Sequence, residues 1–192
     1  MKTKVSALTI IIVLVTIGLV QACQPSTEKA TETQASYNES EIIRGKYLVE
    51  IMGCNDCHSP KRMGPQGPEI IPELMLSGYP ADHPIVSFDS PMIKEGFAQF
   101  YPDLTAAAGP WGITFAGNLT PHETGIGSWT EAQFKKALTE GKYKGLDNTR
   151  PLLPPMPWLN YVNMTDEDIR AIFSYLQSIP AVDNVVPAAI AP

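Results

Sequence analysis

Cys54-Asn55-Asp56-Cys57-His58 concentrates more chemistry than any other stretch of the chain. Two thiols three residues apart can reach the two vinyl groups on one side of a porphyrin and form thioethers. The adjacent imidazole then lies beneath the ring and offers a nitrogen to its iron. This is the spacing of a c-type haem attachment motif. Rival readings fit less well. A thioredoxin-like CxxC follows a strand in a βαβ pattern, and none precedes Cys54. A structural zinc site needs four ligands, and no second Cys/His pair stands at suitable spacing. A plain disulfide is the usual fate of paired cysteines outside the cytosol, but it leaves His58 without a task. The five residues therefore point to one covalently bound haem c.

The second axial ligand decides between electron transfer and chemistry at an open iron. Apart from the initiator, the candidates are Met52, Met63, Met75, Met92, Met156 and Met164. Met156 is distinguished by its setting, Pro154-Pro155-Met156-Pro157-Trp158, where three prolines fix the backbone around a flexible thioether. Met52 and Met164 fall on or beside predicted helices and read as packing residues. Met63, Met75 and Met92 lie in loop and stay open, as do His83 and His122. The imidazole of His58 also needs a partner for its other nitrogen. A carbonyl in the Gly64-Pro65 or Gly67-Pro68 turn is the expected acceptor.

These residues must be held by helices. Asn38 with Glu41 forms an N-terminal capping pattern. Ile42, Ile43, Tyr47, Leu48, Ile51 and Met52 then recur at helical spacing, predicting an amphipathic helix that ends near Gly53. Thr130 with Gln133 caps a second helix that Gly141 terminates. Thr165 with Asp168 opens a third, lined by Ile169, Ile172, Phe173, Leu176 and Ile179 and stopped by Pro180. Between Ser59 and Ser128, Gly and Pro are spread throughout. No strand pattern emerges there, and the stretch reads as loop wrapped around something bulky. The chain carries 18 prolines in 192 residues, in keeping with long loops.

The N-terminus reads as an address. Lys2 and Lys4 precede an apolar run from Val5 to Val20, shorter than the ~20 residues a membrane span needs, and small residues follow. Leu19-Val20-Gln21-Ala22-Cys23 resembles the lipobox of bacterial lipoproteins, in which the cysteine becomes the lipid-bearing first mature residue. Residues 24–40 are polar, lack apolar periodicity and read as a disordered tether. A flexible segment of this length spans on the order of 20–25 Å. The formal charge of −6 argues against nucleic acid, whose binders carry basic patches.

From Asn38 to about Val182 the chain resembles the class I cytochrome c domains of bacterial periplasmic and dehydrogenase-associated cytochromes. The matching segments are RGKYLVEIMGCNDCHSP, NLTPHETGIGSWTEAQFKKALTEGKYKG, PLLPPMPW and MTDEDIRAIFSYLQSIP. The resemblance implies an all-α cytochrome c fold with few helices and long loops. It also implies haem iron held by His58 and Met156, and a crossing of the first and last helices at Gly45 and Tyr47 against Tyr175 and Leu176. His122 stands where relatives more often carry an acid. A single CxxCH implies one haem, where many relatives have two or three. The expected organisation is a signal peptide over 1–22, a lipid-anchored tether over 23–40, a cytochrome domain over 41–182 and a flexible tail over 183–192. The expected role is that of a periplasmic or envelope electron carrier, not a catalyst, anchored to a membrane through Cys23. Its partners would be redox proteins: a dehydrogenase, an oxidase or another cytochrome. It would act as a monomer or as the haem subunit of a larger dehydrogenase complex.

Overall fold

The computed structural model describes residues 37–85, 88 and 90–192. The leader, Cys23 and nearly all of the tether lie outside the described residues. Helix α1, Glu39–Ile51, starts as its sequence dictates. The Asn38 side chain accepts from the Ser40 N–H at 3.0 Å, and Glu41 reaches back to the Asn38 N–H at 3.4 Å. At its far end Gly53 adopts φ +70°, a left-handed turn, and the chain enters helix α2, Cys54–His58, at once.

The last helix, α5 (Asp166–Ser178), is capped by Thr165 and carries Asp166, Glu167 and Asp168 in its first turn, where carboxylates suit the helix dipole. It packs along α1, and the closest approach is at Gly45. A Cβ there would collide with the Ala171 carbonyl and with Tyr175. This crossing sets the rotation of α1, and it corrects two sequence expectations. The buried face of α1 is Gly45, Leu48 and Val49, while Ile43, Tyr47 and Ile51 are 64%, 52% and 60% exposed. Tyr47 thus takes no part in the crossing. Its ring instead receives the Arg44 guanidinium at 5.7 Å, and Arg44 pairs with Asp168 of α5 at 3.0 Å.

Helix α4, Glu131–Glu140, has the Thr130–Gln133 capping box and ends at left-handed Gly141. It contributes Phe134 and Leu138 to one core with Val49, Ile169, Ile172 and Leu176. Each such side chain removed from water contributes about 1.5–3 kcal/mol. Among the described residues, a short helix α3, Ser90–Lys94, and single 3₁₀ turns at Pro72–Leu74, Tyr143–Gly145 and Trp158–Tyr161 complete the helical part.

The fold is not purely helical. The stretch read as loop contains five short strands: β1 Lys61–Gly64, β2 Gly67–Ile70, β3 Gln99–Phe100, β4 Ala106–Gly109 and β5 Gly112–Phe115. β1 and β2 form an antiparallel hairpin that pairs Lys61 with Ile70 and turns at Pro65-Gln66. β3, β4 and β5 form a second antiparallel sheet, Ala106 opposite Phe115 and Gly109 opposite Gly112. All four residues of β4 are buried, so Ala-Ala-Ala-Gly shows none of the alternation that marks a half-exposed strand.

Residues 183–192 are also not a loose tail. Ile190 bridges to Ile113 of β5 by two backbone hydrogen bonds, 2.8 and 2.9 Å. Asn184 is only 8% exposed. Its amide donates to the Ser77 and Tyr79 carbonyls at 2.7 and 2.9 Å, and its oxygen accepts from the Ala81 N–H at 2.8 Å. One polar side chain so serves three backbone groups that would otherwise be unpaired.

Candidate haem site

α2 is a five-residue helix, so Cys54 and Cys57 lie on one face, one turn apart. They are not joined to each other by a disulfide. Burial pushes the Cys54 thiol up to about 11, and burial with the Asp56 carboxylate raises that of Cys57. Redox-active cysteines have depressed values, and the shift here runs in the opposite direction. Among the described residues no group of three or more His, Cys, Asp and Glu side chains could hold a metal ion.

His58 ends α2, and its ring is half-buried. Burial pushes its pKa down, while a bond to the Gly117 carbonyl works the other way and the Lys61 charge adds to the lowering. Nδ1 lies 2.7 Å from the Gly117 oxygen. A carbonyl can only accept, so Nδ1 carries the proton and Nε2 keeps its lone pair free. The acceptor is not in the Gly64–Pro68 turn, which belongs to the β1–β2 hairpin. It lies 59 residues downstream of His58. Gly78 donates its N–H to the His58 carbonyl at 2.8 Å, and Tyr79 donates to Ala116 at 3.0 Å. Together these bonds lay residues 116–117 beside α2. Gly78 itself, at φ +80°, packs so closely on Ala116 and Gly117 that a Cβ would clash with their backbone.

Met156 sits in a loop fastened at both ends. Leu152 donates to the Gly141 carbonyl at 2.6 Å, and Thr114 Oγ1 of β5 donates to the Pro154 carbonyl at 2.8 Å. The Pro154–Pro155 peptide is cis. The Trp158 indole lies against Gly141, filling the place a Cβ would take. Met156 and Cys54 are both partly buried and pack on the same apolar core. Tyr161, five residues on, stands near the thiols: burial raises its phenol pKa, and charge on Cys54 and Cys57 would raise it further.

The other candidates are placed differently. Met63 is 75% exposed on β1, and Met92 is exposed on α3. Met52, Met75 and Met164 are partly buried against the core. His83 packs edge-on to Tyr79 and Tyr101. Nδ1 of His122 is engaged by Thr124 Oγ1 at 2.8 Å. Three functional neighbours were invisible to motif reading: Gly117, Thr114 and Lys61. Only Lys61 carried a local signal, as a cation just past a helix end.

The donor set fits a covalent haem: two unbonded thiols on one helical face, followed by an imidazole whose Nε2 is free. The cytochrome c family model matches residues 42–180, well over half of the chain. The chain belongs to the cytochrome c family. Its cofactor is accordingly haem c. The chain is 28% identical over 177 residues to the fructose dehydrogenase cytochrome subunit of Gluconobacter japonicus, covering 91% of this chain and 29% of that protein. It is 28% identical over 139 residues to the gluconate 2-dehydrogenase cytochrome c subunit of Pantoea cypripedii, covering 72% of this chain and 23% of the relative. With the cytochrome c subunit of the quinone-dependent alcohol dehydrogenase of Gluconobacter oxydans it shares 26% identity over 139 residues, 72% of this chain and 21% of that one. The chain thus spans less than a third of the length of these curated relatives.

Proposed function

We propose that this cytochrome is a single-electron carrier with one haem, bonded through Cys54 and Cys57 and ligated by His58 and Met156. The observation that carries the reading is the 2.7 Å contact between His58 Nδ1 and the Gly117 oxygen, which engages one ring nitrogen as a donor and leaves the Nε2 lone pair for a metal. Bound haem supplies the redox change, its iron passing between ferric and ferrous states. The protein's part is to bury the ring, hold both ligands and exclude water. With Met156 as the second ligand, its thioether would raise the potential and leave no position open to substrate, which suits an electron carrier. A pyridine haemochrome spectrum with a redox titration tests this directly. One c-type haem per chain is expected, and Met156→Ala should shift the potential downward and open the ferric iron to azide. An unchanged potential and spectrum in that variant would remove Met156 from the ligand set.

A second reading is favoured by the names of the relatives, which are cytochrome subunits of dehydrogenases. On it the chain is the haem subunit of a larger oxidoreductase. Co-purification of a dehydrogenase with the tagged full-length chain supports that reading, and a lone monomer supports the free carrier.

The domain would work outside the cytosol, in the periplasm or cell envelope. Among the described residues no helix is long and apolar enough to cross a membrane. The lipobox-like run ending at Cys23 would supply the membrane attachment, after removal of residues 1–22. Residues 24–40 would serve as the tether.

A further inference from the structure

Lys61 lies three residues beyond His58, at the start of β1. Its side chain folds back under α2. Nζ donates to the carbonyls of Asp56 at 2.6 Å, Ser59 at 2.9 Å and Asn55 at 3.3 Å. A fourth contact, 2.9 Å, joins it to the carbonyl of Asp103, 42 residues away. Asp56 is among the last four carbonyls of α2, which a helix leaves without a partner of its own, while Asn55 also accepts from the Ser59 N–H. Here the helix is the haem attachment segment itself, because Asn55 and Asp56 are the residues between the two thiols. A cation at this end is favoured by the helix dipole, and four carbonyl oxygens favour the charged form of the amine.

Other charges face the ammonium. Burial pushes the Lys61 pKa down, and the carboxylates of Asp103 and Asp56 oppose that, with charge on Cys57 adding to them if present. Asp103 is itself buried and tied by Oδ1 to the Thr105 N–H and hydroxyl, 2.9 and 2.7 Å. Asn55 and Asp56 precede His58 and Ser59 follows it, so the ammonium holds the turn that carries the imidazole from both sides.

We propose that Lys61 is a positioning residue for the haem reaction: it clamps the Cys54–His58 helix, and its positive charge favours the reduced iron. Uptake of one electron from a donor protein lowers the charge at the iron by one, with no bond made or broken and no proton required. A fixed cation beside the iron's proximal ligand disfavours the ferric state more than the ferrous state. The same charge, partly withdrawn from water, is screened less by salt than a surface lysine would be.

This inference rests on His58 as proximal ligand, and the experiment separates the two claims. The full-length haem-loaded protein is prepared with Lys61→Met, Lys61→Gln and Lys61→Arg, and each is titrated potentiometrically beside its absorption spectrum and melting curve. Met and Gln remove the charge, Gln keeping two donors; Arg keeps the charge. The midpoint potential is expected to fall in the Met and Gln variants and to stay near the parent value in Arg. All three should retain a low-spin spectrum. A purely structural clamp would lower the melting temperature and leave the potential where it was, which overturns the electrostatic role. If Lys61→Met yields no loaded protein, the comparison of Gln with Arg still decides. A low-spin spectrum surviving His58→Gly would instead overturn the ligand assignment.

Discussion

The Thr114 hydroxyl donates to the Pro154 carbonyl across 2.8 Å, two residues before Met156. Three residues after Thr114, Gly117 receives the His58 imidazole. One short segment, β5 and its continuation, therefore touches both the helix and the loop that bear the proposed axial ligands. Thr114 is buried, so its hydroxyl bond is not exchanged freely for water.

Thr114→Val removes that bond while keeping the shape of the side chain. A single buried hydrogen bond contributes about 0.5–1.5 kcal/mol. The Pro154–Met156 loop should open more often, and ferric protein should bind azide up to about ten-fold more tightly. Thr114→Ser should restore the parent affinity. Equal azide affinities in parent and Val variant would show that Thr114 does not restrain the loop.

Asn184→Ala strips partners from the Ser77 and Tyr79 carbonyls and the Ala81 N–H. Leaving a buried polar group unpaired costs about 1–3 kcal/mol, so a clear fall in melting temperature is expected. A chain stopped after Val182 should be destabilised as well, because it also loses the Ile190–Ile113 bridge. A truncated protein that melted with the parent would return the tail to the loose state its composition suggests.

Gly45→Ala puts a methyl group into the Ala171 carbonyl, on rigid backbone that cannot step aside. Overpacking of this sort typically costs about 1–3 kcal/mol, more than the better helix propensity of alanine offsets. Guanidinium unfolding of the loaded protein is the measurement. Tyr47→Ala, on the exposed side of the same helix, should change the midpoint little; the opposite order of effects would mean that α1 is rotated from the position described.

Cys23→Ser should release the protein from the membrane fraction into the soluble fraction with its haem spectrum intact. Mass spectrometry of the parent protein should show an acylated N-terminal cysteine. An unmodified Cys23, or a Ser variant that still sediments with membranes, rules lipid attachment out.

What could be read from the sequence was local. The CxxCH motif, the Asn38–Glu41 and Thr130–Gln133 capping boxes, and the Thr165 cap each depend on residues three or four apart, and each appears in the structure at its expected place. What escaped depended on partners far along the chain. Gly117 reaches His58 from 59 positions away, and nothing in Ala-Gly-Asn announces it. β4 escaped because it is buried throughout and built of alanine, so the alternation by which strands are recognised was missing. The face of α1 was misread for a related reason. Its apolar residues outnumber the positions that can be buried once Gly45 fixes the contact with α5, and so Ile43, Tyr47 and Ile51 face outward.

The doubly attached β5 segment has a consequence for speed. Electron transfer between proteins is slowed by whatever must move when the charge changes. A ligand helix and a ligand loop pinned to separate elements would relax independently, each adding its own cost. Pinned three residues apart on β5 and its continuation, they share a common frame. With His58 and Met156 on the iron, a frame of that kind would keep the reorganisation energy small in both directions, and forward and return transfers would need little driving force.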